Sequence, residues 1–568
     1  MRLPVLLAVA TVLAGCTGGG SGGTPQVPSV PWGNFRHDTF NSAASGIIDN
    51  NKGRATLLAS AATLGGVTLS TPAVDRSGNV IIGTADGVVA FDGNPHCSAN
   101  LGQGCSGDSC LPDGGVCECV SDNNCSCSGS GRACNPDTCT AGQGICTGTV
   151  RWTFSQFDPN DCSKSCPSPP CGPLGPLPVG SVAASPSVTA GDDIVFGTDG
   201  TDGAPGRIFA LREQGKTIQC LWVSPPDGGA TGSGVKSSAL TAVYNLDLTL
   251  TTAVVGDDDG QLRAFNFDGS VRWTFPRAAT GSPITSSPAV DTTGVVYVTT
   301  DDGMLVAIDA AGTPSFQFSI GVAPAAELYP SPAVGATIYA IGAGSALFAL
   351  SPSDTRTPKW QFVGTEKSIS GSPAFLSQNF PAESANTLDT IVYVVDQGGK
   401  AYGVRDSNGT IMPIQRCSIT KAGDLVPSSC RTDNCLPFGQ TCNTSTARCE
   451  GGAMPNLRCT PDSCLPDLGI CVVTNGIVQV AQAPGEITTS PIVSADQFAV
   501  VGTTDGRVCA RSLANLVPGQ DVQNSNAAWA ANGCIALGGD ANASRSSPVI
   551  GLNGEIYLTT DAGLYIIK

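Results

Sequence analysis

The sequence predicts an all-β fold: an eight-bladed β-propeller of four-stranded blades, with two cysteine-rich, disulfide-stapled insertions. Three observations predict it. A block made of a small polar residue, S-P-A-V or a variant, a turn and a β-rich hairpin recurs along the chain. Where nothing intervenes, the prolines of successive blocks lie 44 residues apart (288 to 332) and then 41 (332 to 373), a blade-sized period. The cysteines are crowded into two short stretches instead of being spread along the chain.

The opening motif reads S-T-P-A-V at 70–74, then ASPSV at 184–188, SSPAV at 286–290, PSPAV at 330–334, GSPAF at 371–375, TSPIV at 489–493 and SSPVI at 546–550. An eighth unit keeps its hairpin, TAVVGDDDGQLRAFN at 252–266, while Ser237-Ser238-Ala239-Leu240 replaces the proline motif. The hairpins are regular, as in NVIIGTADGVVAFD (79–92), VVYVTTDDGMLVAID (295–309) and EIYLTTDAGLYIIK (555–568). Short runs of Val, Ile, Tyr and Phe suit a pleated strand, and Asp-Gly supplies the positive φ of a tight turn. A further run, GTVRWTF (148–154), GSVRWTF (269–275) or TPKWQF (357–362), completes four strands per unit. Trp152, Trp273 and Trp360 share a fourth-strand position, where they are expected to pack blade against blade.

Eight units are visible, and the eighth stops at Lys568 after its third strand. The run Ala55–Ser60, upstream of the first motif, is predicted to supply the missing strand and close the ring, which removes exposed sheet edges. A seven-bladed ring, with the third unit as a degenerate excursion, is the alternative.

With these repeats in place, the chain resembles the PQQ-like (pyrroloquinoline quinone repeat) β-propeller family, which is also WD40-like in architecture. W-G-N-F-R-H-D-T at 32–39 looks like the segment that opens many such chains. The resemblance runs from Trp32 to Lys568 outside the cysteine-rich stretches, and its lipoprotein form is similar to the scaffold lipoprotein of outer-membrane β-barrel assembly. It implies the fold and leaves function open, because the family also includes quinone-dependent dehydrogenases.

The first residues set an address. Met1-Arg2 is a short positive start, Leu3–Leu13 an apolar run, and Leu13-Ala14-Gly15-Cys16 resembles a lipobox, so residues 1–15 read as a lipoprotein signal peptide and Cys16 as the lipidated residue. An apolar run this short is a secretory signal and not a membrane span. Thr17 in place of aspartate favours the outer membrane. Residues 16–31 form a Gly/Ser/Pro tether, and 32–568 the propeller. The expected place is the bacterial cell envelope, on the periplasmic or the surface-facing side. A net charge of −17 argues against nucleic acid as a partner; the membrane, through the lipid, and a protein are the partners expected.

Of 25 cysteines, setting aside Cys16 leaves 24, an even number that suits a disulfide framework in an oxidising compartment. Ten lie within an insertion at 97–146, in blade 1, and eight within one at 417–471, in blade 6. Both interrupt the connection between third and fourth strands, so both arms are expected on one rim, about three blades apart. Inside them the spacing C-x4-C-x6-C occurs four times: Cys105-Cys110-Cys117, Cys134-Cys139-Cys146, Cys430-Cys435-Cys442 and Cys459-Cys464-Cys471. Modules this small bury little apolar surface and need covalent staples. Zinc is the competing reading, and the chain has only His37 and His96 to offer besides thiolates.

Catalytic signatures are sparse. Two histidines are few for acid–base work, and no G-x-S-x-G elbow is present. Asp257-Asp258-Asp259 and Asp301-Asp302 fall where hairpin turns need Asp and Gly, with calcium as the other reading. The family's quinone enzymes typically carry PQQ with calcium and often adjacent cysteines; this chain has no Cys-Cys pair and no run matching the catalytic positions. No catalytic, cofactor or metal residue is assigned. The expected function is a non-enzymatic, lipid-anchored binding or scaffold protein without cofactor, the alternative being a periplasmic oxidoreductase with PQQ and calcium.

Overall fold

The computed structural model describes residues 42–43, 55–91, 110–113, 116–119, 150–158, 162, 177–225, 234–243, 251–352, 357–380, 387–406, 414–418, 441–443, 448–450, 470–474, 477–479, 487–512, 534–537 and 543–567, with short breaks inside the longer spans. Eight four-stranded antiparallel sheets follow one another along the chain. Blade 1 holds Ala73–Val74, Val80–Thr84, Gly87–Phe91 and Val150–Phe154. Blade 2 runs from Ser187 to Ser224, blade 4 from Ala289 to Ser319, blade 5 from Ala333 to Val363 and blade 7 from Ile492 to Ala536. Blade 6 holds Ala374–Phe380, Thr387–Val395, Lys400–Arg405 and Ile477–Gln479.

The seven-bladed alternative is corrected. The third unit makes a full blade from Leu240–Val243, Thr251–Gly256, Leu262–Phe265 and Val271–Phe275, although it lacks the proline. Blade 8 is closed as expected: Ala55–Ser60 lies beside Gly563–Ile567, with Ala55 opposite Ile567 and Ser60 opposite Gly563.

A closed belt of hydrogen bonds fixes the order of the blades. Thr71 N–H donates to Ser185 Oγ (2.9 Å), Ser185 N–H to Ser238 Oγ (3.0 Å), Ser238 N–H to Ser287 Oγ (3.1 Å) and Ser287 N–H to Ser331 Oγ (2.8 Å). Ser331 N–H then donates to Ser372 Oγ (2.9 Å), Ser372 N–H to Ser490 Oγ (2.9 Å), Ser490 N–H to Ser547 Oγ (3.1 Å), and Ser547 N–H returns to Thr71 Oγ1 (3.3 Å). Each donor is the residue before the motif proline, or before Ala239 in blade 3. A following proline holds that residue extended, which presents its amide to one neighbouring blade and its hydroxyl to the other. The belt also answers polar groups that burial would otherwise leave unpaired.

In blades 4, 5 and 6 the second strand carries the bulk. Tyr297, Tyr339 and Tyr393 are fully buried opposite Ala289, Ala333 and Ala374, large against small across the strand pair. The tryptophans then join the outer strands of neighbouring blades. Trp152 Nε1 donates to Glu213 of blade 2 (2.9 Å), whose other oxygen accepts Arg151 Nε (2.6 Å). Trp360 Nε1 donates to the Asp406 carbonyl of blade 6 (2.7 Å), and Lys359 Nζ reaches the Asp406 carboxylate (3.0 Å). Trp273 packs on Gly312 of blade 4, and Trp222 on Gly269 of blade 3. Trp222 was not among the tryptophans picked out by sequence, because Leu221-Trp222-Val223 lacks the flanking frame of the others. Two disulfides tie outer parts of the ring: Cys162–Cys220, between the segment after blade 1 and the fourth strand of blade 2, and Cys509–Cys534, across blade 7.

Candidate functional site: the axis and two faces of the ring

The first strand of each blade pairs on one side only, which turns its other edge to the ring axis. At two blades that edge is taken up by the chain itself. Phe375 N–H of blade 6 donates to the Ser42 carbonyl (2.9 Å), and Val493 N–H of blade 7 to the Ala43 carbonyl (2.8 Å). Ser42 and Ala43 are both buried, and Ala43 adopts a positive φ of 52°. Sequence reasoning assigned the N-terminal region only a closing strand, and no local pattern marks this second docking.

One face carries the turns between second and third strands. There acidic turn residues clip the hairpins of blades 2, 3, 4 and 8 to the segment entering the same blade. Asp199 accepts hydrogen bonds from Ser181 Oγ (2.6 Å) and Ala183 N–H (2.8 Å). Asp301 accepts from Thr285 Oγ1 (2.9 Å) and Thr285 N–H (3.3 Å). Lys236 pairs with Asp258 at 3.2 Å, and Arg545 with Asp561. Asp257 accepts the Gln261 amide (2.8 Å) and faces Arg263 at 3.0 Å. Of the residues considered for calcium, Asp257, Asp258 and Asp301 are thus engaged by turn amides, hydroxyls and cationic side chains. Among the described residues, no group of three or more His, Cys, Asp or Glu side chains is placed to hold a metal ion.

Burial raises the carboxyl groups of Asp199 and Asp301 above the usual range; for both, the Asp258 charge adds to the rise while Lys236 opposes it. A carboxyl group raised on folding favours the fold when protonated. Its contribution is complete below the unfolded value and lost as pH rises through the raised one. Asp301→Asn is therefore expected to melt at or above the wild-type temperature at pH 7, with the gain vanishing near pH ~4. A deficit that stays constant across a series of melts from pH 4 to 8 would show that the Thr285 hydrogen bonds outweigh the ionisation penalty.

The opposite face carries the connections between third and fourth strands. In blades 1 and 6 these are long, running from Phe91 to Val150 and from Arg405 to Ile477. Blades 7 and 8 lie between them, and the strand Ala55–Ser60 begins on the same face, opposite the end of the third strand of blade 8. Within these connections three ladders are described: Cys110–Asp113 with Val116–Cys119, Thr441–Asn443 with Arg448–Glu450, and Ile414–Ser418 with Ile470–Thr474. Cys110, Cys117, Cys442 and Cys471 fall on them. Cys16, Cys105, Cys134, Cys139, Cys146, Cys430, Cys435, Cys459, Cys464, His37 and His96 lie outside the described residues. Among the described residues no helix is long and apolar enough to cross a membrane.

A closed eight-bladed propeller with two interrupted blades is the class of protein defined by this geometry. Residues 258–416 match a family model described as outer membrane protein assembly factor BamB, and over this stretch the chain resembles that family. Among solved structures it is similar to BamB from Moraxella catarrhalis, at 16% identity and a TM-score of 0.35, covering 66% of this chain and 90% of that one. It is also similar to the C-terminal WD40 domain of Sif2, at 11% identity and a TM-score of 0.33, covering 66% and 92%. Likenesses this distant carry no argument about function. No curated protein matches the chain.

Proposed function

We propose that the protein is a non-enzymatic binding or scaffold protein of the bacterial envelope, held to the outer membrane by a lipid on Cys16 and engaging a protein partner. The observation that carries this reading is the match of residues 258–416 to a family described as an outer membrane protein assembly factor. Three features support it. A ring locked by a closed hydrogen-bond belt is a rigid platform, and rigid elements position a binding surface at low entropic cost. The axial edge at blades 6 and 7 is used by the chain's own Ser42 and Ala43. The two insertions, 97–146 and 417–471, are the natural contact arms, since long surface connections carry function on rigid scaffolds. The partner meets the face bearing the arms, and no nucleic acid is involved.

The first test is calorimetric titration of the purified chain from Trp32 to Lys568 with PQQ in the presence of calcium. No heat of binding is expected. Tight one-to-one binding would overturn the scaffold reading in favour of the oxidoreductase. Photo-crosslinking from the arm face in living cells then identifies the partner, and an envelope protein is the expected product.

A further inference from the structure

The two described disulfides use Cys162, Cys220, Cys509 and Cys534, so the eight cysteines between 417 and 471 remain to be assigned. Backbone register assigns four of them. In the neck of the second arm, Ile414–Ser418 runs antiparallel to Ile470–Thr474, and Cys417 lies directly opposite Cys471. In the inner hairpin, Thr441–Asn443 runs antiparallel to Arg448–Glu450, and Cys442 lies directly opposite Cys449. Directly opposed residues in an antiparallel pair have Cα atoms about 4.5 or 5.5 Å apart, inside the range of about 4.4–6.8 Å that a disulfide bridges.

The repeat supports the same pairing from a second direction. Cys442 and Cys471 are the third cysteines of the two C-x4-C-x6-C copies in this arm. Cys449 and Cys417 are its two cysteines outside the repeat. In this arm each third cysteine therefore faces one outside cysteine, in two separate ladders, whereas in the ladder of the first arm it is the second cysteine of a copy, Cys110, that faces Cys119 outside the repeat.

We propose that the second arm is a covalently closed module, with Cys417–Cys471 across its neck and Cys442–Cys449 across its inner hairpin. Cys430, Cys435, Cys459 and Cys464 then pair among themselves. Each bond forms by thiol–disulfide exchange: two thiols lose two electrons and two protons to a protein disulfide, which becomes a dithiol. Closure at the neck makes the shape of the arm independent of its partner, so the arm is a preformed contact surface. The oxidant, and only the oxidant, rests on the export reading above.

The test is disulfide mapping of the full chain, purified with free thiols alkylated and digested without reduction. Trypsin releases Cys417 in peptide 417–421, Cys449 in 449–458, and Cys471 in 459–507. The expected result is 417–421 joined to 459–507 and 449–458 joined to 432–448. Cleavage before Asp462 and Asp467 isolates Cys471, and cleavage after Phe438 isolates Cys442. Peptide 417–421 bridged to any other cysteine, while Cys162–Cys220 and Cys509–Cys534 are intact, overturns the closed module and leaves the export reading standing. Alkylation of all these cysteines, including those four, overturns both.

Discussion

A chain that begins after Ser60 is expected to lose its ring, with a fall in the unfolding midpoint of about 5 °C, or aggregation on purification. Residues Ala55–Ser60 are the fourth strand of blade 8, and without them Gly563–Ile567 is left as an open edge. The deletion removes a row of ladder hydrogen bonds and the burial of Leu58 and Ala59. At about 0.5–1.5 kcal/mol per hydrogen bond and 1.5–3 kcal/mol for a buried leucine, the loss is on the order of 5 kcal/mol. It also removes Ser42 and Ala43 from the edges of blades 6 and 7. A chain beginning at Ser42 keeps both dockings and should melt with the full-length protein. Thermal unfolding followed by ellipticity and light scattering decides the matter: a truncated chain melting within two degrees of the parent would mean that closure does not depend on this strand.

Replacing Gly312 by valine is expected to destabilise the ring by about 3 kcal/mol, since a branched side chain meets two separate obstacles there. The residue sits at φ +84°, a left-handed conformation costing an L-residue about 1–2 kcal/mol, and overpacking adds about 1–3 kcal/mol. A Cβ at Gly312 would lie 2.7 Å from the Trp273 ring, which has blade 3 behind it. Gly215 provides the control. It has a φ of +69° with nothing within 4 Å of a built Cβ, so its replacement by alanine should show the backbone cost alone. Equal losses at the two positions in urea unfolding would sink the claim that tryptophan packing couples the blades.

Much of this architecture was readable before any coordinates. The hairpins, the eight units, the closing strand and the packing role of Trp152, Trp273 and Trp360 all follow from patterns a few residues long. Blade 3 shows the limit of such reading. Its proline is gone and its motif looks degenerate, yet Ser238 keeps its place in the belt between Ser185 and Ser287. What the belt requires is the amide and hydroxyl of one residue, and the proline only helps to orient them. The docking of Ser42 and Ala43, the Cys162–Cys220 bridge and the use of Trp222 were not legible for a related reason: their partners are remote in sequence and belong to no repeated pattern.

The amino-acid sequence by itself determined the elements and their immediate neighbours: alternating and β-branched runs make strands, Asp-Gly turns fold them back, and each unit carries enough of both to form one sheet. These are short-range preferences, acting over the fifteen or so residues of one hairpin. Only the tertiary structure decided how the units lock together. Ser372 donates to Ser490, 118 positions further on, and Ser547 returns to Thr71 across 476 positions. Such bonds exist only once eight twisted sheets have closed around one axis, because closure, and no local preference, brings each hydroxyl within reach of the amide that needs it.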